Sequence, residues 1–118
     1  MEQVGTMGKH VGVWVLALAL GACSGESAEM AANAHPGQST YNEACISCHN
    51  PGISGAPRLG DTDAWQARIA KGRQTLVNST INGLNSMPGK GMCWQCSDED
   101  LGHAVDYILE QSGVGAGQ

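Results

Sequence analysis

Cys45-Ile46-Ser47-Cys48-His49 decides how the chain is read. Two thiols three residues apart lie on one turn of backbone and can reach the two vinyl groups of a porphyrin. The adjacent imidazole then falls beneath the iron, so C-x-x-C-H both attaches a haem covalently and supplies an axial ligand. A bare C-x-x-C also suits thiol redox chemistry or half of a zinc site. His49, together with the export features upstream, selects haem c held by Cys45 and Cys48 with His49 on the iron.

Those export features occupy the first residues. Lys9 and His10 precede an apolar or Gly run, Val11 to Leu20, and Leu20-Gly21-Ala22-Cys23 follows at once. The stretch resembles a lipoprotein signal: residues 1–22 are expected to be removed and Cys23 to carry the lipid. The apolar run is too short to remain as a membrane-spanning helix. Cleavage after Ala32-Asn33-Ala34, the competing reading, lies too far beyond that run. The chain has five cysteines, and an odd count in an exported protein leaves one thiol over, which lipidation of Cys23 accounts for. Residues 23–36 contain almost no large apolar side chain and read as a flexible tether, and residues 113–118 as a frayed tail. The expected location is the periplasm, on a membrane through the lipid. Ser24 lacks the Asp that retains similar lipoproteins at the inner membrane, so the outer membrane is favoured.

Residues 37–112 then form one small domain. Its large side chains are few: Trp65, Trp94, Tyr41, Tyr107, no Phe, and a modest set of Leu, Ile and Val. A chain so short of core commonly folds around a cofactor or cross-link, and a haem is a large apolar disc. Beyond residue 22, five Lys or Arg face ten Asp or Glu. This acidity argues against nucleic-acid binding and favours a redox partner with a basic docking surface.

Helical periodicity dominates. Residues 38–45 read as a short helix that delivers the haem motif. Asn50-Pro51-Gly52 breaks it. Asp61 or Thr62 caps a second helix carrying Trp65, Arg68 and Ile69 until Gly72. Leu76, Val77, Thr80, Ile81 and Leu84 mark a third over 74–81, ended by Gly83 and Asn85. Ser97 followed by Asp98, Glu99 and Asp100 opens a last helix, with Leu101, Ala104, Val105, Ile108 and Leu109 as its apolar stripe. No segment sustains strand alternation. The fold class is all-α, about four helices around one haem.

Function turns on the other side of the iron, where a Met thioether closes the coordination sphere and raises the potential. Met87 and Met92 are the candidates in the domain. Met87 lies in a loop where Pro88 forces extended backbone, and so is the expected ligand. Met92 directly precedes Cys93 and is less free to turn. A bis-His haem would need His35 or His103; His35 falls in the tether and His103 off the apolar stripe, so both read as surface residues. Cys93-Trp94-Gln95-Cys96 is followed by Ser97, not His, and is no second haem site. Its default in an oxidising compartment is a disulfide, with a redox-active dithiol as the alternative.

With these residues in hand, the domain resembles the class I c-type cytochromes, and within them the cytochrome c5 group, from about Gly37 to Leu109. The marks are Cys45-x-x-Cys48-His49, Gly55-Ala56-Pro57, Gly60-Asp61 with Trp65 and Arg68, Met87-Pro88 with Gly91, and Cys93-x-x-Cys96-Ser97-Asp98. The resemblance implies a Cys93–Cys96 disulfide, a Pro57 carbonyl accepting from the His49 ring, and Trp65 and Arg68 near the haem propionates. It also implies that Tyr41 and Tyr107 pack the first and last helices together. The expected function is that of a monohaem one-electron carrier that makes and breaks no substrate bonds. The rivals are a haem enzyme or gas sensor with an open sixth position, and a zinc module using Cys45, Cys48, Cys93 and Cys96.

Overall fold

The computed structural model of the chain describes residues 32–115. The expected signal, Cys23 and most of the tether lie outside the described residues. Among the described residues no helix is long and apolar enough to cross a membrane.

Four helices carry the domain. The first, α1, runs over residues 38–49 in three joined pieces: Gln38–Thr40 is α-helical, Tyr41–Cys45 is a π turn, and Ile46–His49 is α-helical again. It extends through the haem motif, past the end expected at Cys45. Its π turn closes with the Ile46 N–H on the Tyr41 carbonyl, and such insertions cluster at functional sites because they re-aim the side chains that follow. Helix α2 spans Thr62–Ile69. Asp61 caps it, accepting from the Ala64 N–H at 3.0 Å. Helix α3, Arg73–Asn82, stops at Gly83, whose φ of 86° suits glycine. Helix α4, Asp98–Gln111, begins with a reciprocal capping box: Ser97 Oγ accepts from the Asp100 N–H at 3.1 Å and Asp100 accepts from the Ser97 N–H at 2.9 Å.

The apolar stripe of α4 is the centre of the molecule. Leu101, Ala104, Val105, Ile108 and Leu109 are all buried, as are Tyr41, Trp65, Ile69 and Val77 from the other helices. Tyr41 and Tyr107 hold α1 against α4, their ring centroids 5.3 Å apart. Just ahead of α1, Gly37 packs so close to α4 that a Cβ there would lie 1.9 Å from the His103 carbonyl oxygen. Glycine is required at that position by close approach, not by its backbone angle. Arg73 adds a bidentate pair to Asp106 at 2.6 and 2.7 Å that ties α3 to α4. This hydrogen bond raises the Arg73 pKa further.

Three expectations change. His35 is packed, with its ring 5.5 Å from Tyr107, its Nδ1 accepting from the Gly37 N–H at 3.0 Å and its Nε2 3.4 Å from Glu110. It belongs to the folded unit because Tyr107 offers it an aromatic face. Val114 is 4 % exposed and donates its N–H to the Leu109 carbonyl at 2.9 Å, so the chain stays docked past residue 113. Leu84 lies beyond Gly83, off the α3 face, and is exposed.

Candidate haem-attachment site

The second half of α1 presents Cys45, Cys48 and His49. Cys45 is buried and Cys48 exposed, and both are free thiols. Burial pushes the Cys45 thiol up to about 11, with Cys48 nearby adding to the rise, so it is held neutral, as a thioether would be. Cys93 and Cys96 have the same spacing but are joined as a disulfide, with Cα atoms 5.4 Å apart. The difference is one of backbone: the first pair sits on a helix, the second in a non-helical turn before α4.

His49 is buried, and its Nδ1 lies 2.7 Å from the Pro57 carbonyl oxygen. A carbonyl only accepts, so Nδ1 carries the proton and Nε2 keeps the lone pair that a metal needs. The loop bearing that acceptor is tied from both sides. Leu59 donates its N–H to the His49 carbonyl at 2.7 Å. Trp65 donates Nε1–H to the Arg58 carbonyl at 2.8 Å, and Arg58 reaches back to the Asn50 carbonyl at 3.1 Å. The Trp65 ring is also 5.8 Å from that of His49. The single indole donor is therefore spent on Arg58, where the family resemblance implies a place near a propionate. Arg68 folds back onto its own helix, donating to the Ala64 carbonyl at 2.8 Å.

Met87 is half-buried in the loop after α3. Its backbone is pinned by reciprocal bonds with Leu84, at 2.9 and 3.0 Å, and a Cβ on Gly83 would sit 2.9 Å from the Met87 carbonyl oxygen. Met92 is 65 % exposed with φ at 66°. Of the two methionines, Met87 alone is partly covered. His103 lies on the flank of α4 and His35 is engaged with Gly37 and Glu110, leaving neither arranged as a ligand beside His49.

These residues fit a haem c. Neither thiol is in a disulfide, the imidazole has its Nε2 lone pair available, and Ile46, Ile53 and Leu84 stand exposed without protein cover, as apolar contacts of a porphyrin would. Tyr41 is 1 % exposed and its hydroxyl has no hydrogen-bond partner among the described residues, a group that ordered water or a bound group would satisfy. Zinc is not favoured: the second Cys pair is oxidised, and among the described residues no cluster of three His, Cys, Asp or Glu could hold a metal ion.

Residues 32–108 match the family described as Cytochrome C oxidase, cbb3-type, subunit III. The cytochrome c-555 of Chlorobaculum tepidum is 42 % identical over 84 residues, covering 68 % of this chain and 78 % of its own. The chain is a class I c-type cytochrome. The cytochrome is also similar to cytochrome c5 of Ectopseudomonas mendocina, 41 % identical over 66 residues, or 54 % of this chain and 76 % of that one. Its fold matches a chain of the crystal structure of the electron transfer complex of nitrite reductase with cytochrome c, with a TM-score of 0.62 and 32 % identity over 65 % of this chain and 94 % of the other. The cytochrome is thus a monohaem electron carrier, not an enzyme, and its all-α architecture is the cytochrome c fold. Class I cytochromes c are typically periplasmic.

What sequence reasoning missed at the site is the scaffold around the motif: the π turn, the Arg58 and Leu59 backbone groups, and the Glu43–Gln95 contact at 3.0 Å. Backbone partners distant in the chain leave no local residue pattern.

Proposed function

We propose that this cytochrome carries its haem on Cys45 and Cys48 with His49 and Met87 as axial ligands, and shuttles single electrons in the periplasm from a lipid anchor on Cys23. The observation that carries the reading is the His49–Pro57 hydrogen bond at 2.7 Å, which leaves Nε2 as the ligating nitrogen on a helix whose two thiols are free. Bound haem c supplies a one-electron iron couple. The chain's own residues would do the rest: the thiols would attach it, Pro57 orients the imidazole, Met87 would close the sixth position, and the exposed Ile46, Ile53 and Leu84 would offer apolar contacts.

Redox partners with a basic face suit the net charge of −5. A nitrite reductase is one class of partner, since a cytochrome c of the same fold is solved in complex with one. The lipid rests on Leu20-Gly21-Ala22-Cys23 and the fifth cysteine. Tethering on the residues between Cys23 and the packed His35 would raise the effective concentration of partners at the membrane.

Maturation with haem, followed by acid-acetone extraction, tests the attachment: absorption bands must survive it. The reduced protein should show a reversible one-electron couple and resist carbon monoxide. Rapid carbon monoxide binding by the wild type would instead mean an open sixth position. Fractionation tests the anchor, because Cys23→Ala should move the protein from membranes to the soluble fraction.

A further inference from the structure

Trp94 is 69 % exposed and Met92 65 % exposed, on a loop that is otherwise tightly held. The Cys93–Cys96 bond closes its base, with both cysteines buried. Lys90 donates from Nζ to the Cys96 carbonyl at 3.0 Å, and Gln95 donates to Glu43 of α1 at 3.0 Å. A large amphipathic ring on a clamped loop gives up little conformational freedom when it is covered, which is why Trp recurs among dominant interface residues.

Its surroundings are acidic. Glu43, bonded to Gln95 of the loop, and Asp98, two residues after Cys96, are both exposed. Lys90 donates to the Cys96 carbonyl and lies 3.8 Å from Asp98, offsetting part of that charge and leaving Glu43 without a cation in contact among the described residues. The loop follows directly on Met87-Pro88 and abuts α1 beside Cys45, since a Cβ on Gly91 would lie 3.7 Å from the Ala44 carbonyl oxygen.

We propose that the Cys93–Cys96 loop is a docking anchor, with Trp94 and Met92 seating in an apolar pocket of a redox partner whose basic rim faces Glu43 and Asp98. This rests on the electron-carrier reading and adds to it the surface and the partner's chemistry. A second copy of the chain is disfavoured as occupant because it would bring the same acidic rim against itself, and an anionic lipid surface is disfavoured for the same reason. The disulfide thereby acquires a role that its small loop does not offer through stability: it holds the ring at a fixed height.

The test uses the haem-loaded protein with Cys23→Ala in every variant, so that no lipid contributes, on gold carrying a mixed monolayer of amine-ended and methyl-ended thiols, a surface both basic and partly apolar. Wild type should adsorb with a one-electron signal. Trp94→Ala should lower the adsorption constant by about tenfold. Glu43→Gln with Asp98→Asn should weaken adsorption and flatten its dependence on ionic strength. Asp63→Asn with Glu110→Gln changes net charge equally but away from the loop, and should leave both near wild type. Adsorption unchanged by Trp94→Ala, or equal effects of the two charge pairs, overturns the anchor. So does a dimer in sedimentation that Trp94→Ala makes monomeric, or binding to phosphatidylcholine vesicles that persists in the Cys23→Ala protein and is lost on Trp94→Ala. Absence of a reversible one-electron couple in free solution would overturn the carrier reading itself, which none of the surface variants can mimic.

Discussion

Trp65 and His49 are linked through the backbone of the loop between them: the His49 ring bonds to the Pro57 carbonyl at 2.7 Å, and the Trp65 indole to the next carbonyl, Arg58, at 2.8 Å. Two rings thus grip consecutive peptide groups. Trp65→Phe keeps an aromatic side chain, though a smaller one, and removes the donor, leaving the Arg58 carbonyl without it. Denaturant unfolding of the haem-loaded protein should show a loss of about 1–2 kcal/mol. The His49 ring proton should exchange faster with solvent by NMR while haem stays attached. Unchanged exchange would mean that the loop holds its place without Trp65.

Met87→Ala should lower the reduction potential and let carbon monoxide bind the ferrous protein, because a thioether ligand raises the potential and fills the site. Met92→Ala should do neither, since that side chain is 65 % exposed. Potentiometry and carbon monoxide spectra of the two variants, side by side, separate the candidates. The reverse pattern would assign the iron to Met92.

The bond between Cys93 and Cys96 closes a loop with a sequence separation of 3. Removing so short a cross-link by Cys93→Ser with Cys96→Ser should cost at most about 2 kcal/mol, because it restrains little of the unfolded chain. Haem should remain attached. Alkylation of the native protein without reductant, followed by mass analysis, should label neither cysteine.

Gly37→Ala places a methyl 1.9 Å from the His103 carbonyl oxygen, so α1 and α4 must move apart. Thermal melting should fall by more than ordinary overpacking, about 1–3 kcal/mol. Gly55→Ala is the contrast: φ there is +82° but nothing lies within 4 Å, so only backbone strain of about 1–2 kcal/mol is expected.

Asp100 titrates below its ordinary value of 3.8 because the Ser97 N–H, and then the Ser97 hydroxyl, bond to its carboxylate. A folded-state pKa below the unfolded one means that the cap's contribution is complete above 3.8 and is lost as pH falls through the lower, folded value. Asp100→Asn should remove that part of the acid dependence. Melting curves from neutral pH down to pH about 2 would show a shallower acid limb in the variant.

Much of this was legible in the chain. The helices after Asp61 and Ser97, the apolar stripe of α4 and the haem motif are local patterns, set by residues within a few positions of one another. The contacts of His35 and Gly37 were not, because each depends on α4 from a distance in sequence. Leu84 continued the helical spacing of α3 yet fell outside it, since the positive φ of Gly83 turns the chain first.

By itself the sequence determined the chemistry: a thiol pair and an imidazole at haem spacing, an all-α chain too lean to build a large core, and an acidic surface. Tertiary structure decided which groups are free to act. Cys45 and Cys48 stay apart on a helix while Cys93 and Cys96 join in a turn. Met87 is pinned while Met92 is exposed, and Trp94 stands outside the core that the equally apolar Trp65 enters. Identical residue types met different fates because burial comes from how segments far apart in the chain pack, and backbone angles and turn bonds then set each loop locally.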